Sequence, residues 1–186
     1  MASVGIELAS GEAAIRELLL SRLSSAYRVA TCILRDPVAA EDAVQEAAVR
    51  AWEHRGELRD PGRVDAWFAR IVVNVCRAEL ARSGRRPAAS TEATEAGLDR
   101  TFEPGRRMDV ELDLRDETSR AIARLTADEQ IVVGLRFGRD LTVPQIAAAT
   151  GLREGTVKSR LHSAQEHLRA SFAAERRAET ELEARR

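Results

Sequence analysis

Residues 141–169 read LTVPQIAAATGLREGTVKSRLHSAQEHLR, and this stretch decides the fold of the C-terminal part of the chain. Thr142 and Gln145 form a capping-box pattern, which predicts that a short helix begins there. Gly151 suits the left-handed end of that helix, and a longer helix is expected from about residue 154 to residue 172. A short helix, a tight glycine turn and a longer helix are typical of a helix-turn-helix.

The preceding stretch, residues 125–137, reads LTADEQIVVGLRF and predicts a further helix. Thr126 and Glu129 form a second capping box at its start, and the helix is expected to end at about Gly138 in a left-handed stop. Gly134 lies inside this helix, where glycine costs about 1 kcal/mol relative to Ala. It is therefore unexplained unless another part of the chain packs closely against it.

The last helix has an inward face and an outward face. The residues expected to pack inward are Val157, Leu161, Ala164 and Leu168. Since the first turns of a recognition helix reach bases and its N-terminus favours phosphate, we expect DNA contacts there. The candidates are Arg153, Thr156, Lys158, Ser159, Arg160 and His162. The spacing alone also fits a structural or protein-binding unit, and His162 also fits an ordinary surface position.

The N-terminal part of the chain shows three further helical patterns. Apolar residues recur at helical spacing over residues 12–34, and Asp36 with Pro37 predicts the cap and first turn of a second helix that runs to about Trp52. A third helix is expected to begin near Asp60. Its predicted core stripe comprises Val64, Trp67, Phe68, Ile71, Val75 and Ala78.

The second helix carries an acidic face opposite its alanine-rich face. This acidic face consists of Asp42, Gln45, Glu46, Val49 and Glu53. One interpretation is that this face only contacts solvent. The other is that it binds a partner, which is favoured by the apolar Val49 among the carboxylates.

The third helix carries a basic ribbon on the side away from its predicted core. The ribbon comprises Arg63, Arg70, Asn74 and Arg77. Arginines at this spacing fit phosphates along a nucleic-acid backbone, and Asn74 can hydrogen-bond a base edge. A solvated arginine face is the alternative.

Composition indicates an all-α protein with two small helical domains joined by a flexible acidic linker. The 186 residues include 29 basic and 30 acidic side chains and only 4% aromatics, and helix-forming residues dominate. Residues 87–117 contain Pro, Gly, Ser, Thr and many carboxylates, and residues 87–105 show no apolar periodicity, which favours a linker.

The sequence shows no constellation typical of an enzyme. Cys32 and Cys76 are far apart without a CxxC motif, which favours two buried side chains over a disulfide or a zinc site. His162 has no nucleophile or carboxylate partner in the pattern. We therefore expect no catalysis, metal or cofactor. No apolar run reaches about 18 residues and no signal-peptide pattern begins the chain, which predicts a soluble cytoplasmic protein without a membrane segment.

Three blocks of the sequence resemble the extracytoplasmic-function sigma factors of the sigma-70 family. Residues 36–52, DPVAAEDAVQEAAVRAW, are similar to that family's DP-x-x-AEDLVQE-x-F-x-x-AW block. Residues 65–71, DAWFARI, with Asn74 resemble its FRAWL-x-RI-x-x-N block. Residues 125–137 and 141–169 resemble its C-terminal block, which contains GTVKSRLHRAR.

The resemblance implies a bacterial RNA polymerase subunit for promoter recognition. The implied divisions are a region 2 domain at 1–86, the linker at 87–117, a region 4 domain at 118–172 and a charged tail at 173–186. It also implies that the acidic face docks on the clamp coiled coil of core RNA polymerase, with a further contact to the flap. The basic ribbon would then bind the −10 promoter element and the last helix would read the −35 element, with an anti-sigma factor as a further partner.

Two departures from the family pattern affect these expectations. Arg153 and Glu154 replace the usual polar cap before GTVKSR, and residues 163–167 lack the usual basic run, so we expect weaker phosphate affinity from this domain. The alternative reading is a helix-turn-helix regulator that acts without being a polymerase subunit. It accounts for residues 141–169 but not for the AEDAVQE block.

Overall fold

A computed structural model describes residue 13, residues 15–83 and residues 117–185 of the chain. The N-terminal block, residues 15–83, contains α1 (15–20), α2 (Leu23–Leu34), α3 (Pro37–Glu53) and α4 (Val64–Arg82). The C-terminal block, residues 117–185, contains α5 (117–123), α6 (Ala127–Val133), α7 (Val143–Thr150) and α8 (Glu154–Ala184). A π-helical turn, Gly134–Gly138, continues α6. The described residues include no strand, and the predicted all-α, two-block fold is confirmed.

The helix starts follow the predicted capping signals. Asp36 caps α3, because its carboxylate accepts hydrogen bonds from the amides of Val38 and Ala39. Both capping boxes are present, at the starts of α6 and α7. Gly151 ends α7 with φ of 74°, so the helix-turn-helix is formed as the sequence predicts.

Two helix boundaries differ from the prediction. The pattern over residues 12–34 was expected to form one helix, but the chain turns at Ser21 and Arg22, where the Arg22 amide donates to the Leu19 carbonyl at 3.0 Å. The Arg22 side chain is thereby directed to Asp65 on α4. Gly138 does not supply a left-handed stop after α6; Asp140, with φ of 54°, takes that conformation.

The last helix is longer than expected. It continues past residue 172 to Ala184, so most of the segment expected as a charged tail is helical. Ion pairs with α5 stabilise this extension of α8. Arg120 and Arg124 each place a guanidinium nitrogen 3.6 Å from a Glu175 carboxylate oxygen. The linker expected at 87–117 lies outside the described residues except for Glu117, which begins α5.

The two blocks pack on each other. Helix α7 contacts α4, and both α6 and the π-helical turn contact α2, so that buried residues of both blocks form one hydrophobic cluster. This packing explains why the predicted core stripe of α4 is incomplete. Val72 and Val73, which the stripe omits, are fully buried, whereas Ala78, which it includes, is exposed. A stripe read from one helix cannot show that a second block covers another side of it.

Candidate polymerase and DNA interfaces

The predicted acidic face of α3 points away from the core. The opposite side of α3 is buried and almost entirely alanine, which allows α3 to pack closely on α2 and α4. The side chains of Asp42, Gln45 and Glu53 are exposed, and Val49 retains 57% of its accessible surface. An exposed aliphatic side chain between exposed carboxylates suits a partner with both apolar and basic groups.

Glu46 differs from the other carboxylates of the acidic face because it is ion-paired within the described part of the chain. Its carboxylate lies 2.6 Å from a guanidinium nitrogen of Arg50 and 3.8 Å from one of Arg82. Arg82 also pairs with Glu79 at 3.1 Å. Glu46, Glu79 and Arg82 line a groove of about 360 Å³ between α3 and α4, and Asp42 lines it as well. Helical periodicity did not point to Glu79 and Arg82, because their contact with Glu46 joins two different helices.

An apolar patch lies beside α3 and was also missed. Leu19, Leu20 and Leu23 line a cavity of about 320 Å³ together with Trp52. Leu20 is 60% exposed. The guanidinium groups of Arg16 and Arg55 lie over the Trp52 ring, at 5.2 and 4.5 Å from its centroid. The LLL run at residues 18–20 is the only sequence signal for this patch, since a helix with one buried face leaves one of three consecutive leucines outside.

The basic ribbon is divided between two elements. Arg70, Asn74 and Arg77 lie on one side of α4 at helical spacing, whereas Arg63 belongs to the 3-10 turn that precedes the helix. Arg70 and Asn74 are exposed, and neither makes a side-chain hydrogen bond or ion pair in the described part of the chain. The Arg63 side chain is 84% exposed, with Nε 3.6 Å from a carboxylate oxygen of Asp60.

The first turns of α8 present the other predicted DNA-binding residues. Arg153, Lys158, Ser159 and His162 are exposed, and Thr156 is half-buried. Arg160 is less available than predicted, since its guanidinium lies 2.8 Å from the Asp128 carboxylate of α6. Two of the other polar side chains have contacts within α8: the Ser159 hydroxyl donates to the Thr156 carbonyl at 3.0 Å, and His162 lies 3.4 Å from Glu166.

Glu129 fixes α8 against α6. Its side chain is only 6% exposed, and its carboxylate accepts hydrogen bonds from the Thr126 amide at 2.9 Å and the Ser163 hydroxyl at 2.7 Å. His167 lies 3.1 Å from the same carboxylate. Burial raises the pKa of Glu129, but these hydrogen bonds and His167 outweigh it, so the pKa lies below its ordinary value. Ser163 therefore helps to hold α8 against α6.

No group of three or more His, Cys, Asp or Glu side chains among the described residues is arranged to hold a metal ion. Cys32 and Cys76 are free, and burial raises the pKa of both thiols to about 12, so neither is a thiolate at neutral pH. None of the described helices has the length and apolar character needed to cross a membrane.

Comparison with known proteins agrees with this geometry. Sigma-70 region 2 matches residues 18–86 and sigma-70 region 4 matches residues 121–170. The sigma factor SigL of Mycobacterium tuberculosis is 33% identical over 173 residues, which are 92% of this chain and 96% of that protein. The sigma-E factor of Streptomyces coelicolor is 30% identical over 167 residues, 85% of each chain.

Two solved structures share this fold, and one of them is a sigma factor. RpoE of Bartonella quintana, in complex with the anti-sigma factor NepR, superposes with a TM-score of 0.69 at 22% identity, over 86% of this chain and 96% of that chain. CnrH, in complex with the cytosolic domain of CnrY, gives a TM-score of 0.61 at 23% identity, over 85% of this chain and 86% of that chain.

The fold and the two matched regions define a protein of the sigma-70 class. Within that class, the chain belongs to the extracytoplasmic-function sigma factors of RNA polymerase.

Proposed function

We propose that this sigma factor binds core RNA polymerase through the outward face of α3 and reads promoter DNA with α4 and α8. The observation that carries the proposal is that three separate polar surfaces are exposed on a chain whose two blocks match sigma-70 regions 2 and 4. These surfaces are the acidic face of α3, the outer side of α4 and the first turns of α8. Under this proposal the chain is a cytoplasmic binding subunit and has no enzymatic activity of its own.

The polymerase contact is assigned to Asp42, Gln45, Glu46, Val49 and Glu53. Asp42 and Glu53 are the members best suited to pair with basic groups of a partner, because both carboxylates are exposed and have no ionic partner in the described part of the chain. Glu46 would act indirectly, since Arg50 and Arg82 already neutralise it. Val49 would supply the apolar centre of the contact.

The contact with the −10 element is assigned to Arg63, Arg70, Asn74 and Arg77. Arg70 and Asn74 support it best, as two exposed side chains one helical turn apart that can bind a phosphate and a base edge. The contact with the −35 element is assigned to Arg153, Thr156, Lys158, Ser159, Arg160 and His162. Arg153 and Lys158 are the exposed cations of this set, whereas Arg160 must leave Asp128 to reach DNA.

The domain assignment follows the same proposal. The four segments are a polymerase and −10 binding domain at 1–86, a linker at 87–117, a −35 binding domain at 118–172 and a charged tail at 173–186. The extension of α8 supports a tail that is partly built into the second domain. An anti-sigma factor is proposed as a further partner, by analogy with RpoE of Bartonella quintana, which was solved in complex with the anti-sigma factor NepR.

Binding to purified core RNA polymerase tests the assignment of α3. Asp42→Arg reverses an exposed charge, and we expect it to weaken core binding about 100-fold, the scale seen when one partner of an interfacial charge pair is removed. Glu181→Arg, an equal charge change on the far part of α8, is the matched control and should leave affinity unchanged. Equal affinities for the two variants would refute the assignment of α3, and wild-type protein that fails to bind its cognate core would refute the proposal.

A further inference from the structure

The C-terminal half of α8 carries an exposed row of arginines. The match to sigma-70 region 4 ends at residue 170, whereas α8 continues to Ala184. Arg169, Arg176 and Arg177 are exposed, and no ion pair joins them to another side chain in the described part of the chain. We call these three residues the distal basic face. The proposed −35 contacts end at His162, so they do not include these arginines.

The distal basic face continues the side of α8 on which the predicted DNA contacts begin. An α-helix completes five turns in about 18 residues. Arg176 follows Lys158 by 18 positions and therefore points in the same direction. Arg177 has the same relation to Ser159. Arg169 is turned by only about 20° from the direction of Lys158. The cations therefore follow one side of the helix over about 28 Å, at 1.5 Å per residue.

Contacts with α5 fix the rotation of this part of α8. Glu175 follows the buried Val157 by 18 positions and faces inward, where its side chain is 15% exposed. Guanidinium nitrogens of Arg120 and Arg124 lie 3.6 Å from one of its carboxylate oxygens. Arg124 also donates a hydrogen bond to the Ser171 hydroxyl. Because the inward side is bound to α5, the arginines that follow Glu175 are held facing away from the block.

The charge and polarity of this surface favour duplex DNA over a protein partner. Residues 167–178 read HLRASFAAERRA, in which Glu175 is the only carboxylate, and that carboxylate faces inward. Guanidinium groups match the oxygens of a phosphate with a planar fork of N–H donors. A protein interface has an apolar centre. The large hydrophobic side chains that are exposed in the described residues all lie outside α8: Leu20, Val38, Val49 and Phe137.

The length of α8 allows both ends of this surface to meet the same duplex. Its 31 residues span about 46 Å, whereas the major groove is about 12 Å wide. A helix whose first turns are seated in the groove therefore extends past the groove, alongside the sugar-phosphate backbone. The segment 163–167 lacks the basic run of the family pattern, and the distal basic face places cations farther along the same helix.

We propose that Arg169, Arg176 and Arg177 bind phosphates of the promoter duplex beside the −35 element, in a contact that does not depend on base sequence. This inference rests on the proposed function, because it requires the first turns of α8 to lie in the major groove. The distal basic face then supplies affinity, while the first turns supply sequence preference. The contacts of Glu175 with α5 hold the helix in the required rotation before DNA binds, which lowers the entropy lost on binding.

The salt dependence of promoter binding by the holoenzyme tests this contact, on a duplex that extends well beyond the −35 element. Loss of one phosphate contact in Arg176→Gln should reduce the slope of log affinity against log salt by about 0.9, which corresponds to about eightfold weaker binding at ~0.1 M salt. The loss should be equal for promoters that differ in the −35 sequence. Arg185→Gln is the matched control, since Arg185 is exposed, lies nine residues beyond Arg176 and is turned by about 180° from it. It should leave both affinity and slope unchanged.

The possible outcomes separate this contact from the proposed function. A slope for Arg176→Gln equal to that of wild type or of Arg185→Gln would overturn the proposal. If Arg176→Gln keeps the slope but weakens binding to core polymerase, the surface binds protein and the proposal is equally overturned. A lower slope in Lys158→Ala alone would show that α8 reads DNA without the distal basic face, so only this inference fails. A wild-type holoenzyme that does not bind the promoter would refute the proposed function and this inference with it.

Discussion

Replacing Glu129 by Ala should loosen α8, the helix proposed to read the −35 element. The carboxylate serves both the start of α6 and the seating of α8, since it accepts hydrogen bonds from the Thr126 amide and the Ser163 hydroxyl. Loss of the capping box costs about 1 kcal/mol. Leaving the Ser163 hydroxyl without its partner costs about 1–3 kcal/mol more, so the free energy of unfolding should fall by about 2–4 kcal/mol.

Asp128→Ala provides a control in the same turn of α6. Asp128 also pairs with α8, through Arg160 at 2.8 Å, but its side chain is half exposed, and such pairs contribute about 0–1 kcal/mol. Urea unfolding of both variants, followed by circular dichroism, would compare these losses directly. If Glu129→Ala and Asp128→Ala lower stability equally, Glu129 does not hold α8 in the way that the contacts indicate.

Three further predictions concern DNA binding and pH. Arg70→Ala should reduce promoter opening by the holoenzyme at least about tenfold without changing core affinity, measured by permanganate reactivity and anisotropy; a parallel loss of core affinity would contradict the assignment to DNA. Lys158→Ala should weaken binding of the holoenzyme to all promoters alike and reduce the slope of log affinity against log salt by about 1; an unchanged slope would remove Lys158 from the phosphate contacts. Burial raises the pKa of Asp65, but the hydrogen bonds and charges of Arg22 and Arg139 outweigh this effect, so the pKa lies below its ordinary value. Ionised Asp65 therefore stabilises the fold fully above the unfolded pKa of about 3.9. This stabilisation is lost as the pH falls through the lower pKa of the folded state. The stability difference between wild type and Asp65→Asn should therefore shrink as the pH falls below about 4 in urea titrations. A constant difference would show that ionised Asp65 does not stabilise the fold.

Local signals predicted the elements of this fold well. The cap at Asp36, the capping boxes at Thr126 and Thr142 and the glycine turn at Gly151 act within a few residues, so the sequence displays each complete interaction. The exposure of Asp42, Arg70 and Lys158 also follows from helical periodicity alone.

Features that depend on contacts between distant elements were not predictable in this way. Arg139 has no unusual sequence context, yet it is buried against Asp65, which is 74 positions away in the chain. The engagement of Arg160 by Asp128 has the same origin, because α6 and α8 meet only in the folded block. Gly134 was the one position at which the sequence itself pointed to such a contact, because glycine is unfavourable inside a helix unless another element packs closely against it.

Promoter opening by the purified chain with core RNA polymerase tests the central claim most directly. The account predicts that the holoenzyme opens a cognate promoter, that core alone does not, and that shifting the spacing between the −35 and −10 elements by half a helical turn abolishes opening. A chain that binds −35 DNA as a free protein, without binding core polymerase or causing promoter opening, would contradict the account.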